Sequence, residues 1–251
     1  MEVLILGGTG AMGIHLIEHL IKKGVHVTVT SRKDRKNVNN VTYVKGNARD
    51  VNFLKKLLVS RDWDTIVDFM VYSTEEFRER VELLLKSTKQ YMFLSSARVY
   101  ADSKEPIKED FPRLLDVSKD GTFLQTDEYP LSKAREENIL FEFGCKNYTI
   151  IRPYITFSEI RLQLGVFEKE DWLYRALHGR TIVFSKDIGE RFTTLTYAFD
   201  VVTAMVQLIG NERAYGEIFN ITASKVYTWN EVLSVYLDVL EEKLHKRPQV
   251  L

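Results

Sequence analysis

Hydrophobic positions along the chain fall into short unbroken runs separated by stretches of helical spacing. Residues 3–6, Val-Leu-Ile-Leu, form the first run, as expected of a strand covered on both faces of a parallel sheet. Ile14, Leu16, Ile17, Leu20 and Ile21 then recur with the spacing of a helix that ends before Gly24. Val25, Val27 and Val29 alternate with polar residues, which predicts a second strand ending at Ser31, and 41–45 reads as a third, closed by Gly46. Asp50 caps a helix carrying Val51, Leu54, Leu57 and Leu58, and 65–71 is a fourth strand. Ser73 with Glu76 makes a capping box for a helix carrying Phe77, Val81, Leu84 and Leu85, and 91–95 is a fifth strand. After a long polar connection, Pro130 opens a helix running to Gly144, followed by a sixth strand at 148–152.

Beyond Pro153 the alternation changes. Helices are expected at 171–178, from an Asp200 cap to Ile209, and from a Thr228/Glu231 capping box to about His245. Shorter strands are expected at 181–184, 193–197 and 216–221. The pattern predicts an α/β fold, a doubly wound parallel sheet over residues 1–155, with a smaller mixed α/β region over 156–251 from which some strands return to the main sheet. No linker-like stretch separates the two.

Four glycines follow the first strand at once, in Gly7-Gly8-Thr9-Gly10-Ala11-Met12-Gly13. Strand, glycine turn and helix together form a dinucleotide-binding arrangement. The glycines let backbone approach a pyrophosphate, which then rests on the positive end of the helix. An acid about twenty residues further on would hold the ribose 2′-hydroxyl of NAD. Here the second strand ends in Ser31-Arg32-Lys33, with Arg35 and Lys36 nearby. A hydroxyl and cations suit a 2′-phosphate, so NADP is the preferred cofactor and NAD the other.

Tyr129 and Lys133 are spaced i, i+4 at a helix start, which sets both side chains on one face. An ammonium beside a phenol favours the phenolate, the property a general acid-base needs to move a proton on or off a sugar hydroxyl during hydride transfer. The same spacing recurs at Tyr100 and Lys104, but in a loop just before Pro106, where it does not fix a common face. Ser95 and Ser96 end the fifth strand, the end at which open α/β sheets bind ligands, and Ser96 is placed to hydrogen-bond a reacting oxygen.

These motifs resemble those of the extended short-chain dehydrogenase/reductases, the NAD-dependent epimerase/dehydratase group that modifies nucleotide sugars. Gly7, Gly10 and Gly13 match its Gly-x-x-Gly-x-x-Gly, Ser96 to Tyr100 its Ser-x-x-x-Tyr, Tyr129 to Lys133 its Tyr-x-x-x-Lys, and Arg152-Pro153 its Arg-Pro. The resemblance implies a Rossmann-type fold in which Tyr129 is the catalytic acid-base. Lys133 would hold the nicotinamide ribose and tune Tyr129, and Ser96 would polarise the substrate oxygen. It extends the cofactor-binding set to Asn47, Ala48, Phe69, Met70 and Pro153, where Asn47 replaces the usual Asp and Phe69-Met70 replace small residues. Ala97 and Arg191 are the substrate-side residues, Arg191 standing two residues further from Asp200 than the matching arginine does. Ala97-Arg98 stand where the dehydratase branch carries Asp-Glu, which disfavours dehydration. The expected activity is epimerisation or reduction of a nucleotide-activated sugar. The same resemblance implies a homodimer through helices 74–87 and 130–143. The alternative is a non-catalytic NADP-sensing or RNA-associated member of the superfamily.

Composition narrows this only slightly. Lys and Arg number 35 and Asp and Glu 35, so no global charge draws the chain to nucleic acid or an anionic membrane, and neither is an expected partner. Cys145 is the single cysteine, and the five histidines are dispersed apart from the pair His15 and His19, so no metal site is expected. No run approaches a membrane span and no signal peptide is evident, which suits a cytoplasmic protein. At 251 residues the chain is short for the resemblance, and Lys246 to Leu251 reads as the start of a further strand. Part of the substrate-binding region is therefore expected to lie beyond Leu251.

Overall fold

Successive residues of a strand point to opposite faces, and the first strand shows why its run is apolar throughout. The computed structural model describes residues 1–251 and places β1 at Glu2–Leu6. Leu4 and Leu6 enter one core with Ile66, Tyr91, Phe93 and Ile150, while Val3 and Ile5 enter another with Val27, Val29, Val67 and Met92. Both faces are covered by helices, so alternation with polar residues is absent.

The remaining strands of the first half are β2 (His26–Ser31), β3 (Val41–Lys45), β4 (Trp63–Asp68), β5 (Thr88–Leu94) and β6 (Tyr148–Pro153). The helices between them are α1 (Ala11–Lys22), α2 (Val51–Leu58), α3 (Thr74–Lys86), α4 (Leu114–Val117), α5 (Gly121–Leu124) and α6 (Tyr129–Glu142). Three of the four expected caps are present: Asp50 accepts from the amides of Asn52 and Phe53, and Ser73 with Glu76 and Thr228 with Glu231 close capping boxes. Asp200 is not a cap, because its helix begins two residues earlier, at Ala198, and takes Asp200 into its first turn. The short α4 and α5 lie within the long polar connection.

The region expected at 156–251 is divided. Ile155–Ala198 and Thr222–Leu251 form a second unit, whereas Phe199–Ile221 belongs with Met1–Tyr154. The second unit contains β7 (Ile155–Phe157), β8 (Gln163–Leu164), β9 (Phe167–Glu168), α7 (Lys169–Leu177), α8 (Lys186–Gly189), β10 (Phe192–Thr193) and β11 (Leu195–Tyr197). Next come α9 (Ala198–Leu208) and β12 (Glu217–Ile221), then β13 (Tyr227–Thr228) and α10 (Trp229–Leu244).

The main sheet is parallel throughout, in the order β12-β6-β5-β4-β1-β2-β3. α1 covers one face with Leu16, Ile17 and Leu20, joined by Val201, Val202, Met205 and Val206 of α9. α2, α3 and α6 cover the other. Phe199–Ile221 thus returns because α9 completes a helical layer and β12 pairs with β6. Strand order reverses between β1 and β4, the crevice where open α/β sheets bind ligands.

In the second unit, Trp172, Ala176, Ile182, Phe184, Trp229, Val232 and Leu233 form a separate core, with Trp172 stacked on Tyr236 at 4.6 Å. The single strand expected at 193–197 is interrupted at Thr194. Its first part pairs with β13 and its second with β7. The segment expected at 181–184 pairs in parallel with the last residues, Ile182 N–H donating to Gln249 O at 2.8 Å and Leu251 N–H to Ile182 O at 2.9 Å. The β8–β9 hairpin was not foreseen; Gly165, at φ +59°, supplies its turn. No helix is long and apolar enough to cross a membrane.

Candidate active site

Each glycine after β1 has a distinct task. Gly7 turns the chain at φ +72°, and its N–H donates to Thr30 Oγ1 on β2 at 3.1 Å. Gly13 lets α1 settle on the turn, because a Cβ there would lie 2.3 Å from the Gly8 carbonyl oxygen. Gly10 precedes α1 and faces open space, with nothing within 4 Å of where a Cβ would stand. The first turn of α1 has no acidic side chain and no side-chain cap. Its amides are therefore left for an anion. Open backbone at Gly10 beside uncapped amides fits the pyrophosphate of a dinucleotide. Gly13→Ala should lower stability by about 1–3 kcal/mol through overpacking. It should also weaken dinucleotide binding, both effects being measurable by thermal unfolding and titration calorimetry.

A cleft of about 440 Å³ opens from this turn, lined by Gly7, Thr9, Gly10, Ser31, Arg32, Asn47, Ala48, Phe69 and Met70, all expected from sequence. Thr30, Gly46, Arg49 and Val71 also line it and were not foreseen. Gly8 and Gly13 pack the turn, Ala11 and Met12 begin α1, and Pro153 ends β6; none of these lines the cleft. Met70 reaches over Gly7, its sulfur 2.9 Å from where a Cβ would be, so the bulky residues after β4 do shape this space.

Two guanidinium groups line the cleft, with no carboxylate. Arg32 is exposed, while Arg49 is tethered to Glu76 at 3.0 Å and to the Val71 carbonyl. The signal for Arg49 was its place two residues after Asn47, whose Oδ1 accepts from the Arg49 amide at 3.1 Å. Ser31 is buried, and its hydroxyl is occupied by the Lys33 backbone, donating to the carbonyl at 2.8 Å.

Beyond β5 the chain turns through Ser96 into a short 3₁₀ turn, Ala97–Val99. Ser96 Oγ accepts from the Arg98 amide at 3.2 Å, and the Arg98 guanidinium lies 5.6 Å from the Tyr129 ring centroid. One residue thus touches both Ser96 and Tyr129, which is half-buried at the first position of α6. Lys133 is 1 % exposed, and its ammonium donates to Glu136 Oε2 at 2.9 Å above the Phe93 ring. Its hydrogen bond therefore runs to Glu136 rather than to Tyr129.

Tyr100 is engaged elsewhere. Its hydroxyl accepts from Arg152 Nη1 at 2.6 Å and donates to Asn220 Oδ1 at 2.8 Å, and burial raises the pKa of its phenol. Arg152 binds Glu137 through Nε at 2.8 Å and Nη2 at 2.6 Å, and Ser95 donates to Glu137 at 2.6 Å. The sequence pattern did not disclose this network behind the site. Arg191 lies in the second unit, exposed, on the turn between α8 and β10 rather than on a strand; its carbonyl accepts from Trp229 N at 3.1 Å. His15 and His19 sit edge-on to Phe199.

Residues 3–222 match the NAD dependent epimerase/dehydratase family. The chain belongs to that family. It is similar to the chloroplast stem-loop binding protein of 41 kDa b of Arabidopsis thaliana, 27% identical over 91% of this chain and 60% of that protein. The chain thus spans only 60% of that relative's length. It is also similar to UDP-N-acetyl-alpha-D-glucosaminuronate decarboxylase of Bacillus cytotoxicus, 24% identical over 91% of this chain and 77% of the relative. Its fold is shared with UDP-glucuronic acid 4-epimerase of Bacillus cereus, solved with NAD, at TM-score 0.75 and 16% identity, covering 100% of this chain and 85% of that one.

Proposed function

We propose that this family member is an NAD(P)-dependent epimerase or reductase acting on a nucleotide-activated sugar. The observation that carries the reading is Arg98, which joins Ser96 at the end of β5 to Tyr129 at the start of α6, in the same unit as the glycine turn. The Tyr129 hydroxyl exchanges a proton with the reacting sugar hydroxyl, Ser96 Oγ hydrogen-bonds that oxygen, and Lys133 engages the nicotinamide ribose. The bound nicotinamide supplies the hydride acceptor and donor. Gly7, Thr9 and Gly10 hold the pyrophosphate, while Asn47, Ala48, Phe69 and Met70 wall the adenosine side.

A cleft with Arg32 and Arg49 and no carboxylate supports NADP over NAD. Names of relatives include UDP-sugar epimerases and a decarboxylase, which supports a UDP-sugar as the substrate class. Ala97, in the turn that follows Ser96, is the substrate-side contact of this reading. α3 and α6, packed side by side, are the surface through which a homodimer would form.

A panel of nucleotide sugars, incubated with NAD⁺, NADP⁺ or their reduced forms and followed by mass spectrometry and NMR, tests the proposal. Unchanged mass with inverted stereochemistry means epimerisation, and a gain of two hydrogens means reduction. Cofactor binding with no turnover of any sugar would instead support the NADP-sensing or RNA-associated role, which zero net charge and the Ser96–Arg98–Tyr129 arrangement do not favour.

A further inference from the structure

Glu136 is fully buried on α6 and has one hydrogen-bond partner, the Lys133 ammonium, through Oε2; its other oxygen, Oε1, has none. The ammonium has the Phe93 ring beneath it at 4.5 Å, so Glu136 is the one carboxylate bonded to it in that pocket. Charged and titratable groups reach Glu136 from every neighbouring element: Lys133 on its own helix, Asp68 on β4, Tyr91 on β5 and Asp127 ahead of α6. Tyr72, bonded to Asp68, and Arg80, over the Tyr72 ring, complete the surrounding set.

Resting on the proposed role of Lys133 at the nicotinamide ribose, we infer that Glu136 is a positioning residue that holds Lys133 in reserve and takes up a proton when cofactor binding draws the ammonium away. A half-satisfied carboxylate in an apolar setting cannot stay charged once its only cation leaves. The proton comes from solvent and ends on Glu136, so the exchange of partners is balanced.

The direction of the linkage follows from the groups present. Burial raises the Glu136 carboxyl to about 7, against the lowering influence of Lys133 and with added raising from Asp68 and Asp127. Withdrawing Lys133 removes the lowering influence, so the bound form holds more protons than the free form above neutral pH. Affinity for cofactor then falls as pH rises through and beyond 7, approaching about tenfold per pH unit for one proton. Asp68 is the competing acceptor, but it already receives bonds from Met70 N at 2.9 Å, Tyr91 at 2.9 Å and Tyr72 at 3.2 Å.

Calorimetric titration of the full chain with NAD⁺, in buffers of different ionisation enthalpy, reads this directly. NAD⁺ is the probe because the 2′-phosphate of NADP⁺ itself titrates near about pH 6. The wild type should take up about half a proton per site near pH 7 and close to one near about pH 8. Glu136→Gln should bind NAD⁺ without proton uptake and without pH dependence over that range. Lys133→Met, which leaves Glu136 unpaired and protonated beforehand, should also show none. Binding by the wild type with no buffer dependence overturns the inference while leaving the proposed function standing. Uptake that persists in Glu136→Gln overturns it by moving the proton to Asp68. No binding of either cofactor removes the proposed function and the inference together. If Glu136→Gln does not fold, the wild-type buffer dependence and Lys133→Met decide.

Discussion

Tyr129→Phe lowers turnover of the nucleotide sugar identified by the panel by about 10²–10⁴-fold, the usual contribution of a positioned acid-base. The substitution removes one hydroxyl and keeps the ring, so the contact with Arg98 at 5.6 Å and the proline-led first turn of α6 are retained. Cofactor affinity should change little, because Tyr129 does not line the cleft that opens from the glycine turn. The loss should fall on kcat with KM nearly constant, as for an interaction made in the transition state. Steady-state kinetics beside calorimetric cofactor titration separate the two effects. Tyr100→Phe is the matched control: it removes a hydroxyl bonded to Arg152 and Asn220, so its cost is in stability rather than in proton transfer. If Tyr129→Phe turns over sugar at the wild-type rate, the acid-base is elsewhere.

That Tyr129 and Lys133 share a helix while Tyr100 and Lys104 do not could be read from sequence, because it reflects where helices begin. Proline at a first helical turn fixes a face, and proline after a loop does not, so the i, i+4 rule applied to one pair only. The glycine turn was legible for a similar reason, since strand, turn and helix are all local. Lys133 shows where this ends. Residues 135–137, Arg-Glu-Glu, look in sequence like a solvated helical face, yet both glutamates are fully buried because α6 lies against the sheet and α3. Spacing predicts that Lys133 shares a face with Tyr129, but Glu136, three residues on, competes for the same ammonium. Which partner an ammonium takes depends on burial, and burial is a property of the packed fold. The interrupted strand at Thr194 has the same cause: its two halves pair with strands distant in sequence, at Tyr227 and at Ile155.

Glu137→Ala should destabilise the protein by about 3–5 kcal/mol, the range for removing one partner of a buried ion pair. Glu137 is wholly buried, and its carboxylate accepts from Arg152 twice, from Ser95 at 2.6 Å and from Arg113 at 3.2 Å. Arg113 retains Asp116 at 2.8 Å, but Arg152, 2 % exposed, keeps only Tyr100 and the Glu109 carbonyl and no countercharge. Replacing both residues at once, as Glu137→Leu with Arg152→Met, should recover much of the loss, because no charge is then left unpaired. Urea unfolding of Glu137→Leu, Arg152→Met and the double variant gives the coupling energy, provided the slope of the transition is unchanged. The network also reaches the site. Ser95 is bonded to Glu137 and immediately precedes Ser96, so loosening Glu137 frees the end of β5 on which Ser96 is carried. Activity of Glu137→Ala, measured well below its unfolding midpoint, should therefore fall as well. Additive energies in the cycle would show instead that Glu137 and Arg152 act independently.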